Sequence, residues 1–200
     1  MNYDKFYYMF TDHESRKGDL NAEIPTLDYA QARLIGRGET ELPASIEAQA
    51  VGTDRFDYLI TGKPGLDIYS EQVFQLLERK KFTGWSSIPV TMIGKTEKRI
   101  DTHRAMVVTG RSGDIDYKLS QRLEVPGLDL PVGHRKLYNF RGHLFPENTW
   151  DGSDIFFPGT ACWTYVTEAV RDAFLTEQIT GISFDRIDCV EQSDYGQMNG

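Results

Sequence analysis

The sequence predicts an α+β domain in which two similar strand–helix–strand units, 57–90 and 154–187, pack on one mixed or antiparallel sheet. Three observations predict it. Apolar runs of strand length alternate with amphipathic stretches of helix length. Gly and Pro stand between them, where turns belong. The third is self-similarity: Asp57–Val90 lies over Asp154–Ile187 without a gap, at an offset of 97. Asp57 meets Asp154, Gly62 meets Gly159, Glu71 meets Glu168, Val73 meets Val170, and Thr83-Gly84 meets Thr180-Gly181.

Along the chain, "KFYYMF" reads as a strand, and "IPTLDYAQARLIGRGE" holds a short helix ending near Gly36. The first unit then opens on the apolar run "YLI" and a Gly/Pro loop. Ser70 is placed to cap a helix, and Glu71 in its first turn suits the helix dipole. Tyr69 and Phe74 have the spacing of a hydrophobic staple. Val73, Leu76 and Leu77 form the apolar stripe. The helix should stop near Lys81, with Gly84 turning the backbone into "WSSIPVTMI". Pro89 assigns that strand to an edge or a bulge, because proline cannot donate to a ladder.

Ala105–Val108 and Ile115–Leu119 flank "TGRSG" and predict a hairpin. Leu128–Trp150 reads as a long ordered connection, since its aromatic residues need burial. The second unit repeats the first: "IFF", a loop, Thr167 as cap, Glu168, the stripe Val170, Ala173 and Phe174, an exit near Gln178, and "ISFDRIDCV". Residues 191–200 should fray.

With 200 residues, a single domain over 1–200 can bury a sizeable core. No apolar run is long enough to cross a bilayer. The N-terminus lacks the pattern of a signal peptide, so the expected location is cytoplasmic. Two cysteines make neither a disulfide framework nor a metal-binding spacing. The net charge of -8 argues against nucleic-acid binding, which requires clustered Lys and Arg. It suits solubility, and it suits a basic protein partner steered in by the field.

Most tempting motifs fail. "IGKT" has Pro89 where a phosphate-binding loop needs glycine, and "TGKP" has Asp57 there and proline in place of Ser/Thr. The histidines at 13, 103, 134 and 143 form no closely spaced pair, so no metal or cofactor is expected. Cys162 precedes the second helix, where thiolates are stabilised, but the neighbouring Trp163 points to a structural role. Cys189, Trp85 and Trp163 read as core. An alternative function is a metal-dependent or cysteine hydrolase using His134, His143, Cys162 and the nearby Asp154. A general interaction module, docking through the Pro89 strand or the Trp150 loop, is a further alternative. For partner contact, the exposed acids of the loops are the best candidates: Asp54, Asp114, Asp116, Glu147 and Asp151, with Trp150 as an aromatic anchor. Asp57 and Asp154 recur in both units, which points to a role in the fold.

The two repeated segments carry a resemblance. Asp154, Ile155, Phe156, Thr167, Glu168, Val170, Thr180 and Gly181 are similar to a C-terminal motif of the immunity proteins of bacterial polymorphic-toxin and contact-dependent secretion systems, in the family called immunity protein eleven. The likeness covers the chain from Asp57 onward. It implies a non-enzymatic protein that binds one cognate toxin domain and blocks it, with no cofactor and no catalytic residues. Its acidity suits a basic, nuclease-like toxin.

Overall fold

The computed structural model describes residues 2–11, 22–51, 57–94, 99–100, 102–124 and 138–193. The elements are numbered here in chain order. β1 is Phe6–Thr11, β2 Ala22–Glu23, α1 Tyr29–Gly36 and β3 Ile46–Ala50. The first unit holds β4 (Tyr58–Leu59), β5 (Ile68–Ser70), α2 (Glu71–Lys80) and β6 (Trp85–Ile93). Then come β7 (Arg99–Ile100), β8 (His103–Val108), β9 (Gly110–Ser112), β10 (Gln121–Glu124) and β11 (Tyr138–Arg141). The second unit holds β12 (Ile155–Pro158), β13 (Tyr165–Thr167), α3 (Glu168–Thr176) and β14 (Ile182–Arg186), and β15 (Glu191–Ser193) follows. The chain is an α+β domain, and its described residues form three sheets rather than one. Their orders are β14-β1-β13-β12-β9, β2-β3-β6-β8-β5-β4 with β7 on β6, and β10-β11-β15. The first two are mixed, since β9–β12 and β3–β6 run parallel.

The offset of 97 carries one sheet onto the other, pair by pair. Tyr58 pairs with Tyr69 and Leu59 with Ile68; Ile155 pairs with Val166 and Phe156 with Tyr165. On the next edge, Ser70, Tyr69 and Ile68 meet His103, Arg104 and Ala105 of β8. Thr167, Val166 and Tyr165 meet Phe6, Tyr7 and Tyr8 of β1. The outer pairs agree as well: Trp85 with Val108 corresponds to Ile182 with Thr11. The equivalence therefore reaches β1 and β8, whose sequences, "FYYMFT" and "HRAMVV", share only a methionine. It also crosses over. β1, which precedes the first unit, lies in the sheet of the second; β8, which precedes the second, lies in the sheet of the first.

Both helices face one core. Val73, Phe74 and Leu77 of α2 and Val170, Ala173 and Phe174 of α3 are buried with Tyr7, Met9, Met106, Val108, Ile155 and Phe157. Each large side chain so buried contributes about 1.5–3 kcal/mol. The predicted staple forms, with the Tyr69 and Phe74 rings 6.3 Å apart, edge to face. A second cluster joins α1, through Ala32 and Ile35, to Leu66, Ile68, Ile88 and Val90. A third is aromatic: Phe6, Phe145, Phe156 and Tyr165.

Several expectations change. Ser70 and Thr167 stand at the N-caps, but neither caps with its side chain. At the head of α2 the Glu71 N–H donates to the Thr102 carbonyl. The hydroxyls donate to aspartates, Ser70 to Asp57 Oδ1 at 2.6 Å and Thr167 to Asp154 Oδ1 at 3.3 Å. The helices exit through left-handed Lys81 (φ 59°) and Gln178 (φ 55°), and the glycines come three residues later. Gly84 (φ +87°) is required by proximity too, since a Cβ there would stand 2.0 Å from the Ile155 carbonyl oxygen. The "TGRSG" hairpin is not made. β8 already has β5 and β6 on its two edges, so β9 runs on to pair with β12, and 115–119 is a turn region. Pro89 lies in an inner strand. β3 begins its pairing at Val90, so the missing N–H of Pro89 falls just short of that ladder. Cys189 is exposed in a turn after β14. Residues 191–193, expected to fray, pair with β11, where Glu191 holds Arg141 at 2.6 Å. Residues 194–200, and 128–137 of the predicted connection, lie outside the described residues.

Candidate functional site

The repeated phrase "TG" holds the two units together. Asp57 Oδ2 accepts from the Thr180 N–H (2.9 Å) and hydroxyl (2.8 Å). Asp154 Oδ2 accepts from the Thr83 N–H (2.9 Å) and hydroxyl (3.0 Å). Each aspartate thus closes on the threonine of the other unit. These carboxylates serve the fold.

With the units so fixed, their equivalent loops, 60–67 and 159–164, face one another across a cleft of about 860 Å³. Gly65 and Cys162 occupy the same place in the two units, and they meet: a Cβ on Gly65 would lie 3.2 Å from that of Cys162. α1 clamps both loops. Gly36 abuts Gly65, where a Cβ would strike the carbonyl oxygen at 2.2 Å. Arg33 donates to the Thr160 carbonyl at 2.7 Å, and Arg37 donates to those of Gly159 and Ala161, both at 2.8 Å. The Asp28 cap sets this helix in place, bonding the Gln31 N–H at 2.8 Å while Gln31 reaches back to the Asp28 N–H at 3.2 Å.

The floor of the cleft carries Asp67, half-buried between fully buried Leu66 and Ile68. Its Oδ2 accepts from the Tyr58 hydroxyl at 2.9 Å, and its Oδ1 from the Thr61 N–H at a long 3.3 Å. Burial raises the carboxyl to about 6, against the pull of those two hydrogen bonds. Among the described residues no cation pairs with it. Burial, and then the charge of Asp67, push up the phenols of Tyr58, Tyr69 and Tyr8.

The wall is aromatic. Tyr8 stacks on Phe10 at 5.2 Å and meets Trp163 edge-on at 6.5 Å. Trp163 in turn lies flat on His143, centroids 4.7 Å apart. The His143 Nδ1 is 2.7 Å from the Tyr165 hydroxyl. Its Nε2 is buried with no hydrogen-bond partner, although Gln192 lies near enough to raise its basicity slightly. Burial dominates and lowers the imidazole to about 4, so the ring is neutral at neutral pH. The basic groups at the rim face backbone: Arg33 as described, and Lys63 toward the Leu27 carbonyl with its ammonium 5.2 Å from the Tyr29 ring centre.

The residues singled out from sequence fare differently. Asp54 and His134 lie outside the described residues. The other five contact candidates gather in a neighbourhood of their own. Asp114 accepts from the Thr160 N–H (3.0 Å), Asp116 from that of Lys118 (2.9 Å), and Asp151 from those of Arg111 (2.7 Å) and Ser153 (2.9 Å). Glu147 opens a 3-10 turn, Glu147–Thr149. Trp150 is half-buried on Phe6 at 5.0 Å and donates to the Ser153 carbonyl at 3.1 Å. Three of the four carboxylates therefore shape loops, and the tryptophan packs on the chain's own aromatic cluster. For the hydrolase alternative, His143 makes no hydrogen bond to Cys162, and no three His, Cys, Asp or Glu side chains converge as for a metal among the described residues. Cys162 and Trp163 both line the cleft, half-buried rather than sealed in the core. Trp85 is also half-buried, on Phe74 at 5.5 Å. Sequence reasoning missed Asp67. Its signal was a lone acid inside the apolar run "LDIY".

No described helix is long and apolar enough to cross a membrane. No protein-family model matches the chain, and no curated protein matches it. The likeness to immunity proteins therefore rests on the residues quoted for it.

Proposed function

We propose that this protein is a non-enzymatic immunity protein, a cytoplasmic binder that blocks one cognate toxin domain in the cell that makes it. The observation that carries the reading is the cleft. Between two rigidly clamped loops it presents a carboxylate with no cationic partner among the described residues, in a chain of net charge -8. Such a surface attracts a basic protein and offers it a site to fill. The resemblance at Asp57–Val90 and Asp154–Ile187 supports the same reading.

The test is genetic and direct. A candidate toxin domain, identified by pull-down of the tagged protein from its own cells, is expressed alone and together with it. Co-expression should restore growth, and the two should copurify at low salt and separate more readily as salt rises. Growth arrest that persists despite full expression of this protein would sink the proposal.

A further inference from the structure

We propose that the cleft is a socket for an organic cation, the guanidinium or ammonium group of a basic side chain, with Asp67 as its counter-ion and the rings of Tyr8, Phe10 and Trp163 as its wall. This deepens the binder reading and rests on it only for the source of the cation.

The argument begins with an imbalance. A carboxylate taken from water is costly unless a charge or several donors compensate it. Asp67 has two donors, one of them distant, and Oδ1 keeps acceptor capacity. Two cations line the same cleft, yet both are turned to backbone carbonyls, Arg33 to Thr160 and Lys63 to Leu27. No described residue supplies the missing charge, and the socket is there for one carried by a partner. The shape agrees. A cleft of about 860 Å³ admits a long side chain with part of the loop that bears it. Aromatic faces beside a carboxylate favour a cation over a neutral group of the same size. Asp185 lines the same cleft and adds a second negative charge, which Tyr8 registers together with that of Asp67.

The two units argue for this as well. Three cleft-lining positions of the first loop, Lys63, Gly65 and Asp67, have counterparts that line it as well, Thr160, Cys162 and Thr164. Threonine at the place of Asp67 shows that the fold accommodates an uncharged residue there. The carboxylate is a property of the cleft, not a requirement of the loop.

The experiment is an NMR titration of the full chain at pH 7.5 with N-acetyl-arginine amide, with N-acetyl-citrulline amide as the neutral control of equal shape. The arginine probe should saturate at concentrations on the order of ten millimolar, moving the Trp163 indole signal and the backbone amide signals of Asp67 and Tyr8, which also report on variants without the indole. Citrulline should bind at least about tenfold more weakly, as should arginine to Asp67→Asn. Trp163→Leu keeps the carboxylate and removes one ring; it should weaken the arginine probe about threefold and serves should Asp67→Asn misfold. Equal binding of arginine and citrulline, no saturable binding, or variants that bind as the parent does would each overturn the socket. The two proposals fail separately. A toxin held equally by the parent and Asp67→Asn keeps immunity and removes the socket. Arginine binding that depends on Asp67, in a protein that protects against no toxin, keeps the socket and removes immunity.

Discussion

Asp57 and Asp67 lie ten residues apart in the first unit, and their counterparts in the second are Asp154 and Thr164. The first position is kept and the second is not. Where the units agree, the side chains hold them to each other: Asp57 and Asp154, Thr83 and Thr180, Gly84 and Gly181, Val73 and Val170. Three of the positions at which they differ, Lys63/Thr160, Gly65/Cys162 and Asp67/Thr164, line a shared cleft from both units. Two copies of one architecture thus separate what the architecture needs from what a single site needs.

The comparison is broken most severely at Gly84. Gly84→Ala places a methyl group against the Ile155 carbonyl in a backbone region hostile to side chains, and should cost on the order of 3–5 kcal/mol. Gly62→Ala, also at positive φ but with nothing within 4 Å, should cost about 1 kcal/mol. Thermal denaturation of the two variants checks the ratio. If Gly62→Ala is the more harmful, the close contact between the units is not what Gly84 provides.

The clamps come next. Asp57→Asn and Asp154→Asn each weaken charge-assisted hydrogen bonds to a threonine of the other unit, and each should lose about 1–2 kcal/mol. Urea midpoints should fall by similar amounts for the two. A large inequality would show that the units are alike in geometry but not in energetics.

The cleft residue should behave in the opposite way. Asp67 is raised from 3.8 to about 6 in the fold, so its ionised form is penalised there. That penalty is present in full above pH 6 and disappears as pH falls from 6 toward 4. Asp67→Asn should therefore stabilise the free protein at pH 8 by on the order of 1 kcal/mol, with the gain fading below pH 6. A loss at pH 8 would mean that the carboxylate is needed to hold the loop.

The smallest effect refines this one. His143 is lowered from 6.5 to about 4, so the unfolded chain takes up its proton first and stability falls as pH drops from 6.5 to 4. Over much of that range Asp67 contributes the opposite slope. The groups facing them enter as well: Tyr8, Tyr58 and Tyr69 around Asp67, with Asp185, Arg33 and Lys63 lining the same cleft, and Tyr165 and Gln192 around His143. Melting temperatures from pH 7 to 4 should vary less for the parent than for Asp67→Asn, in which the His143 slope is no longer offset by Asp67. Parallel curves would refute the compensation.

Much of this fold could be read from the sequence. The stripes on α2 and α3, the staple at Tyr69, and the strands β1, β6 and β12 follow from local spacing alone. The correspondence of β1 with β8 could not be read. It lies in backbone pairing, where a strand needs only a suitable face and not a particular side chain. The hairpin expectation at "TGRSG" failed for a related reason: turn chemistry was present, but both edges of β8 were already taken. At the site, Cys162 and Trp163 stand out in the sequence for their position before a helix. Asp67 does not, because a single acid in a loop looks solvated until the loop opposite is known to face it.

The crossing of β1 and β8 has a consequence for the order of synthesis. β4, β5, β6 and β8 are all made by residue 108, so the sheet they form can close while the ribosome is still at work. β1 is made before any of them, but its partners β13 and β14 span residues 165–186. Its apolar side chains, Phe6 on one face and Tyr7 and Met9 on the other, must wait through the synthesis of residues 12–164. A nascent chain halted before residue 165 would thus hold one finished sheet and one strand with nowhere to go.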